Sequence, residues 1–554
     1  MQKKVKLAAA LLTVTLAYGQ GNAVRSKVAS DLKLSQSGSS VEVIVQYRHA
    51  PTAAHHEKVT SRGGLLHATL NVIQAAHYTI PLASVNDLAN DPEVAYISPN
   101  RALSRSLDTA AAAVNATVAR QYGYSGEGIG VAVIDSGMGW RGDLFGGVVY
   151  SQDFAGGGTD DLYGHGTHVA GIVAGNGSQS SGGKYFRTFL GIAPAVWLVN
   201  LRALDQNGNG SDSSVIAAIQ QAIALKDVLN IRAINLSLGR PVYESYRLDP
   251  LCQAVEKAWK AGIVVVVAAG NSGRDNSAGT SGYGTIAAPG NDPYVITVGA
   301  MKTEGPPNRS DDMIASYSSK GPTLLDHIVK PDLVAPGNRI ISVRAPNGKL
   351  GQTYPQTVVA SSVYEQGPSH PSPDYLELSG TSMAAPMVTG AVALLLEKYP
   401  QLTPDQVKAR LMKTAYKQFP AHSTATDPAT GTVYSSEYDI FTVGGGYLDI
   451  SAALNNTDVA GQTAMSPVAS YSNGKVTMSA DPSSVWGSSV AWGSSVVWGS
   501  SVFVNGSSTL WGSSVAWGSS TDRGFSVVWG SSVVWGSSNQ TAAESLSVAV
   551  SGEN

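Results

Sequence analysis

Between residues 115 and 454 short, nearly continuous apolar runs alternate with stretches of helical character, and few architectures accept that alternation. The runs at 130–134, 197–201, 233–236, 263–267 and 295–298 contain almost no polar residue, which is the composition of strands covered on both faces. Helices are expected between them at 166–174, 213–229 and 250–261, and Thr403, Pro404 and Gln406 form a capping-box start for another that runs to about Ala415. Strand and helix in turn require a mainly parallel sheet with helical crossovers, so residues 108–454 are expected to fold as one doubly wound α/β domain.

Inside this domain the stretch Leu378 to Tyr399, LSGTSMAAPMVTGAVALLLEKY, places one hydroxyl, that of Ser382, in a turn of small residues that leads into a long apolar helix. Met383, Met387, Val388, Ala391, Leu394 and Leu395 recur at helical spacing with little polar between them, which predicts a buried helix. Pro386 is expected in its first turn, where a missing N–H does least harm. A serine at such a position is usually an N-cap. It also lies beside unpaired N–H groups and the positive end of the helix dipole, a setting that suits developing negative charge.

The flanking segments differ in character. Residues 1–23 carry Lys3, Lys4 and Lys6, then an apolar run and small residues, the layout of a secretory signal peptide, and imply a secreted or cell-surface product. Residues 24–107 read as a small α+β module, with strands at 41–47 and 94–97, helices at 53–61 and 84–90, and two strands within 65–81; the order βαββαβ is that of a ferredoxin-like fold. Residues 455–482 read as a linker or a small strand-bearing segment. Residues 483–538 repeat a V-x-W-G-S-S hexad from Trp486 to Trp535, read either as a thin β-array or as a low-complexity stalk, and 539–554 as a C-terminal tail. Tryptophan at this density suggests packing, self-association or attachment to a surface. The single cysteine, Cys252, excludes an intrachain disulfide, and a net charge of -3 gives no reason to expect a nucleic-acid partner.

Three further motifs accompany Ser382. In GIGVAVIDSG an apolar run ends at Asp135, in YGHGTHVAGIVAG His165 opens a helix of small residues, and in GIVVVVAAGNSG a run ends at Asn271. Each residue alone has a commoner structural role as cap or packing group. Together they supply what a serine nucleophile needs: a base, a group that orients the base, and a rigid donor for the oxyanion, with the Ser382 N–H as a second donor.

These residues and the motifs AVIDSG (132–137), HGTHVAG (165–171), NLSLG (235–239), VAAGN (267–271), KPDLVAPG (330–337) and GTSMAAP (380–386) resemble those of the subtilisin-like serine proteases, in family order over about 340 residues. The resemblance implies that Asp135, His165 and Ser382 form the catalytic triad, that Asn271 is the oxyanion residue and that His168 is structural. It implies that Ser237, Leu238 and Gly239 pair with substrate backbone and that Ala268, Ala269 and Gly270 line the pocket before the scissile bond. It implies a propeptide in 24–107 that inhibits its own protease. No cofactor is implied for catalysis; structural calcium is, with Asp143 at one ligand position. Two loops depart from the pattern, a Gly/Ser-rich one at 176–189 and a polar, Pro-rich one at about 345–375 expected near the cleft.

The expected function is that of a secreted, self-processed serine endopeptidase acting on polypeptides. The alternative is a surface-anchoring or assembly protein whose protease-like domain is an inactive scaffold and whose repeats do the binding.

Overall fold

The structure is a computed structural model that describes residues 27–29, 32, 40–99, 107–277, 279–304, 309, 311–427, 430–472, 475–479 and 546–553. The signal-peptide and repeat assignments lie outside these residues. The chain forms two compact units, divided near Leu103.

In the first unit the strands are β1 (Ser40–Tyr47), β2 (Leu65–Leu70), β3 (Ala75–Pro81) and β4 (Val94–Pro99), and the helices α1 (Ala53–Thr60) and α2 (Val85–Asn90). They follow the order expected from the sequence. The sheet runs β2-β3-β1-β4 with every pairing antiparallel. Alternation along β1 and β3 sends Val43, Val45, Tyr47, Tyr78 and Ile80 into a core completed by Val59, Val85 and Leu88 from the helices.

The second unit opens with α3 (Leu107–Ala113) and α4 (Ala116–Gln121) and is organised by a sheet containing β5 (Gly130–Asp135), β6 (Val148–Asp153), β7 (Trp197–Arg202), β8 (Ile231–Leu236), β9 (Val264–Ala268), β10 (Ile296–Lys302), β11 (Met313–Ile314) and β12 (Leu333–Pro336). Strand order is β11-β10-β9-β8-β5-β7-β6, with β12 also on β10; all pairings are parallel except β10 with β11. The five apolar runs are five of these strands. Edge strand β6 is half-exposed and lacks a continuous apolar signal, so the sequence did not announce it. Helix α5 (His165–Ala174) packs on a long helix near residue 390, and α6 (Asp212–Ala224) packs on α7 (Pro250–Lys260).

The polar, Pro-rich stretch supplies a helix and two strands. Strand β13 (Ile340–Val343) precedes α8 (Lys349–Thr353), β14 (Val358–Ala360) and β15 (Pro371–Leu378), and the order β13-β15-β14 makes a second, antiparallel sheet. The stretch is therefore built structure rather than an open loop. The backbone N–H groups of Lys349 and Leu350 donate to the carbonyls of Leu162 and Tyr163, so it touches the run leading to His165, as its expected place near the cleft requires.

The long helix is α9 (Thr381–Lys398), and α10 (Pro404–Thr414) follows with the capping box of Thr403 and Gln406 in place. Between Thr381 and Leu396 every residue of α9 is buried except Ser382. Because the helix begins at Thr381, Pro386 falls one turn inside it, later than the sequence suggested. The residues after Asn455 do not form a free linker. Ala460, Ala464 and Ala469 are buried in the core of this unit, and a hairpin of Val468–Ser472 and Lys475–Ser479 closes the stretch.

Gly390 shows how tightly α9 is held, since a Cβ there would lie 2.5 Å from the Ile192 Cβ. Gly390→Ala is therefore expected to destabilise the protein by about 1–3 kcal/mol through overpacking, read from the denaturant midpoint, although alanine is the better helix former.

Candidate active site

Parallel strands β5, β8 and β9 are neighbours, so their carboxyl ends bring Asp135, Ser237 and the turn carrying Asn271 to one edge of the sheet. Such an edge is where open α/β sheets collect reactive groups. Helices α5 and α9 pack together and begin at that edge with His165 and with Thr381 and Ser382.

Asp135 is 1 % exposed, and its Oδ1 accepts from the Ser136 N–H and from His165 Nδ1, each at 2.8 Å. Donation from Nδ1 leaves Nε2 of the neutral ring with a lone pair, the form that takes up a proton. Burial of His165 disfavours its charged form, but the charge of Asp135 and the hydrogen bond to it outweigh burial and raise its pKa above 6.5.

The start of α5 is organised by Asp161, whose role sequence reasoning missed. This buried carboxylate accepts from the N–H groups of Gly164 (2.6 Å) and Thr167 (2.7 Å), from the Thr167 hydroxyl (2.7 Å) and from the Ser136 hydroxyl (2.8 Å). Ser136 Oγ in turn accepts from the Gly166 N–H at 2.9 Å. The first N–H groups of the helix are thereby satisfied and His165 is fixed against Asp135. Burial raises the Asp161 pKa despite its four donors. The available signal was an acidic residue just before a glycine and a helix start.

His168 is wholly buried, and its Nε2 lies 3.0 Å from the Ile340 carbonyl and 3.2 Å from that of Leu376. Burial, with the nearby His165, drops its pKa to about 3. It is a neutral tie to the second sheet, the structural role implied for it.

On the other side of the site, Pro386 decides how Ser382 is held. An α-helical N–H at position 386 would bond the carbonyl of Ser382, and proline has none. The Ser237 hydroxyl donates to that carbonyl at 2.7 Å, and the Ser382 hydroxyl donates back to the Ser237 carbonyl at 3.1 Å. Asn235 Nδ2 holds the Ser237 hydroxyl at 2.9 Å. The Ser237 side chain is thus committed to Ser382.

Asn271 is oriented without ambiguity. Its Oδ1 accepts from the N–H of Thr381 (2.9 Å) and from the Thr381 hydroxyl (3.0 Å), and a backbone N–H can only donate. The amide oxygen is therefore turned toward Thr381, and Nδ2 is the donor that remains, beside Gly380. Gly380 has φ +143, and a Cβ there would stand 3.1 Å from Nδ2. Thr381 also accepts from the Gly270 N–H at 3.1 Å, which joins the two turns. Sequence reasoning passed over Thr381 as part of a small-residue motif.

The residues expected to meet substrate are less alike than the resemblance implied. Leu238 and Gly239 follow β8 outside any strand until Arg240 bridges to Ala288. Ala269 is fully buried with its N–H on Val298 and its carbonyl on Ala287, so it supports the turn from behind and does not line a pocket. Ala268 is 4 % exposed and Gly270 is half-buried.

Asp143 is corrected more firmly. Its Oδ1 accepts from the Gln179 N–H (2.7 Å) and the Ser178 hydroxyl (3.1 Å), and its Oδ2 from the Tyr375 hydroxyl (2.7 Å). Both oxygens face donors, not the ligand oxygens that calcium requires, so these residues do not fit the ion. The cause is the two divergent loops, which share a small core. Phe189 packs on Tyr364 and Tyr375, Tyr185 stacks on Tyr364 at 5.8 Å, and Lys184 pairs with Glu365 at 2.8 Å.

Comparison with known proteins gives the family. Residues 126–432 match the subtilase family model. The chain belongs to the subtilase family. It is 38 % identical over 321 residues to serine protease AprX of Bacillus subtilis, a match covering 56 % of this chain and 67 % of AprX. It is 32 % identical over 391 residues to subtilisin E of the same organism, covering 69 % of this chain and 86 % of subtilisin E. As a subtilase it is a serine endopeptidase, and its central α/β sheet is that of the family.

A pH dependence follows from the imidazole. Only the neutral ring accepts a proton, so kcat/KM is expected to fall as pH drops through the His165 titration. Because that pKa is raised, the acid limb should lie above 6.5. His168 should add no second limb near neutrality, which a pH–rate profile on a short peptide will show.

Proposed function

We propose that this subtilase hydrolyses peptide bonds through Ser382 as nucleophile, His165 as base and Asp135 as the group that orients it, with the Asn271 amide and the Ser382 N–H receiving the oxyanion. The observation that carries this reading is the paired fixation of the two reactive ends: Asp135 bonds His165 Nδ1, and Thr381 holds Asn271 by its amide oxygen so that Nδ2 is the remaining donor. For reaction the Ser382 hydroxyl turns from the Ser237 carbonyl and gives its proton to His165 Nε2 as Oγ attacks the substrate carbonyl carbon. The tetrahedral oxyanion collapses to an acyl-enzyme, and the proton passes from His165 to the leaving amine. Water then attacks with His165 again as base. No metal or cofactor enters these steps. Substrate is an extended polypeptide that adds backbone pairing along Leu238 and Gly239, a mode that favours unfolded segments over particular side chains.

The first unit is, in this reading, a propeptide and inhibitor. Its support is a compact four-stranded fold of its own that precedes the protease unit in the chain. Export of the precursor and attachment through the tryptophan repeats complete the proposal; among the described residues no helix is long and apolar enough to cross a membrane.

Two experiments test it. Asn271→Ala should lower kcat by about two to three orders of magnitude with little change in KM, the loss already established for the corresponding donor of subtilisin. A raised KM with unchanged kcat would make Asn271 a binding residue. Ser382→Ala should be folded, inactive and uncut between the units, whereas the wild type loses its first unit, since tethering favours the intramolecular cut. The same new N-terminus in purified Ser382→Ala would contradict self-processing.

A further inference from the structure

Residues 546–553 follow the repeats, yet they are built into the protease unit directly behind the site. Residues 546–551 form a helical turn whose Val548 is buried in the main core, and the carbonyl of Ala549 accepts from the N–H of Ser379, three residues before Ser382. Glu553 is completely buried. Its Oε1 is 2.8 Å from Arg274 Nη2, three residues after Asn271, and also accepts from the Ser316 N–H (2.9 Å) and the Ser316 hydroxyl. Its main chain exchanges two bonds with Asn338: Glu553 N–H to Oδ1 at 2.8 Å, and Nδ2 to the Glu553 carbonyl at 2.9 Å. Gly337, next to Asn338, accepts from the N–H of Gly380.

One short segment therefore grips three turns at once: the one after Asn271, the one before Ser382, and the one on which Gly380 rests. The Arg274 side chain is 4 % exposed and is held besides by Asp427 (2.5 Å) and, through Nε, by the Ser316 hydroxyl (2.8 Å). A buried guanidinium that loses one of two carboxylates must shift or draw in water, and its loop carries the oxyanion donor.

We propose that Glu553 is a positioning residue for the oxyanion site, and that segment 546–553 is a latch without which the Asn271 and Ser382 turns lose their catalytic alignment. In the chain the repeats are bracketed by two described stretches, this one and the hairpin that ends at Ser479. The inference rests on the roles proposed for Asn271 and Ser382.

The test compares Glu553→Gln, Glu553→Asp and Ser316→Ala in the full chain, assayed on a short chromogenic peptide per titrated active site, well below each variant's Tm. Glu553→Gln should lower kcat about tenfold with KM changed less than about twofold, the signature of a transition-state effect. Glu553→Asp should recover part of the loss, and Ser316→Ala, which keeps the ion pair, should lose about two- to threefold in kcat. Intact mass of the active enzyme should include residues 546–553. A folded Glu553→Gln with wild-type kcat overturns the proposal even if its Tm falls, as does a fully active enzyme lacking the segment; if Glu553→Gln does not fold, an unchanged kcat in Ser316→Ala overturns it. Failure of the underlying roles would appear separately, as activity surviving in Ser382→Ala.

Discussion

Pro386 cannot donate a hydrogen bond, and the carbonyl it leaves open at Ser382 is where the start of α9 is joined to the end of β8. Ser237 fills that carbonyl and takes the Ser382 hydroxyl in return, so a residue from the end of β8 and one from the start of α9 fix each other. A buried carbonyl without a partner would cost about 1–3 kcal/mol, which makes the exchange a condition of α9 being where it is. The same exchange leaves the Ser382 hydroxyl on a weak, exchangeable acceptor and not locked into an ion pair.

Charge on the opposite side is managed by separation of roles. Two buried carboxylates, Asp135 and Asp161, stand near one imidazole, yet only Asp135 touches the ring. Asp161 spends its oxygens on helix-start N–H groups and hydroxyls. Orientation of the imidazole and construction of the helix that carries it thus fall to different acids. His168, one turn further on, is kept neutral by burial and ties α5 to the antiparallel sheet.

Much of this was legible in the sequence because the decisive signals were local. The apolar runs ended at Asp135 and near Asn271, and the small-residue turn before α9 marked Ser382; strands, helices and the βαββαβ order of the first unit followed from period and content. What was hidden depended on contacts far apart in the chain. Edge strand β6 has no apolar run because one face meets water. Asp143 looked like a metal ligand until the loops at 176–189 and 345–375 were seen to fold onto each other and place Tyr375 on it. Glu553 lies 237 residues from Ser316, and nothing local distinguishes a glutamate in a polar tail from one destined for full burial.

On the proposed mechanism the folded site, and not serine chemistry in general, makes Ser382 reactive. A fluorophosphonate labels a serine only where a base and an oxyanion site act together, so mass-spectrometric mapping after labelling measures that claim directly. Native mature enzyme is expected to take one label per molecule, on Ser382, and denatured enzyme none. Label on another serine, or none on native enzyme that cleaves peptides, would contradict it.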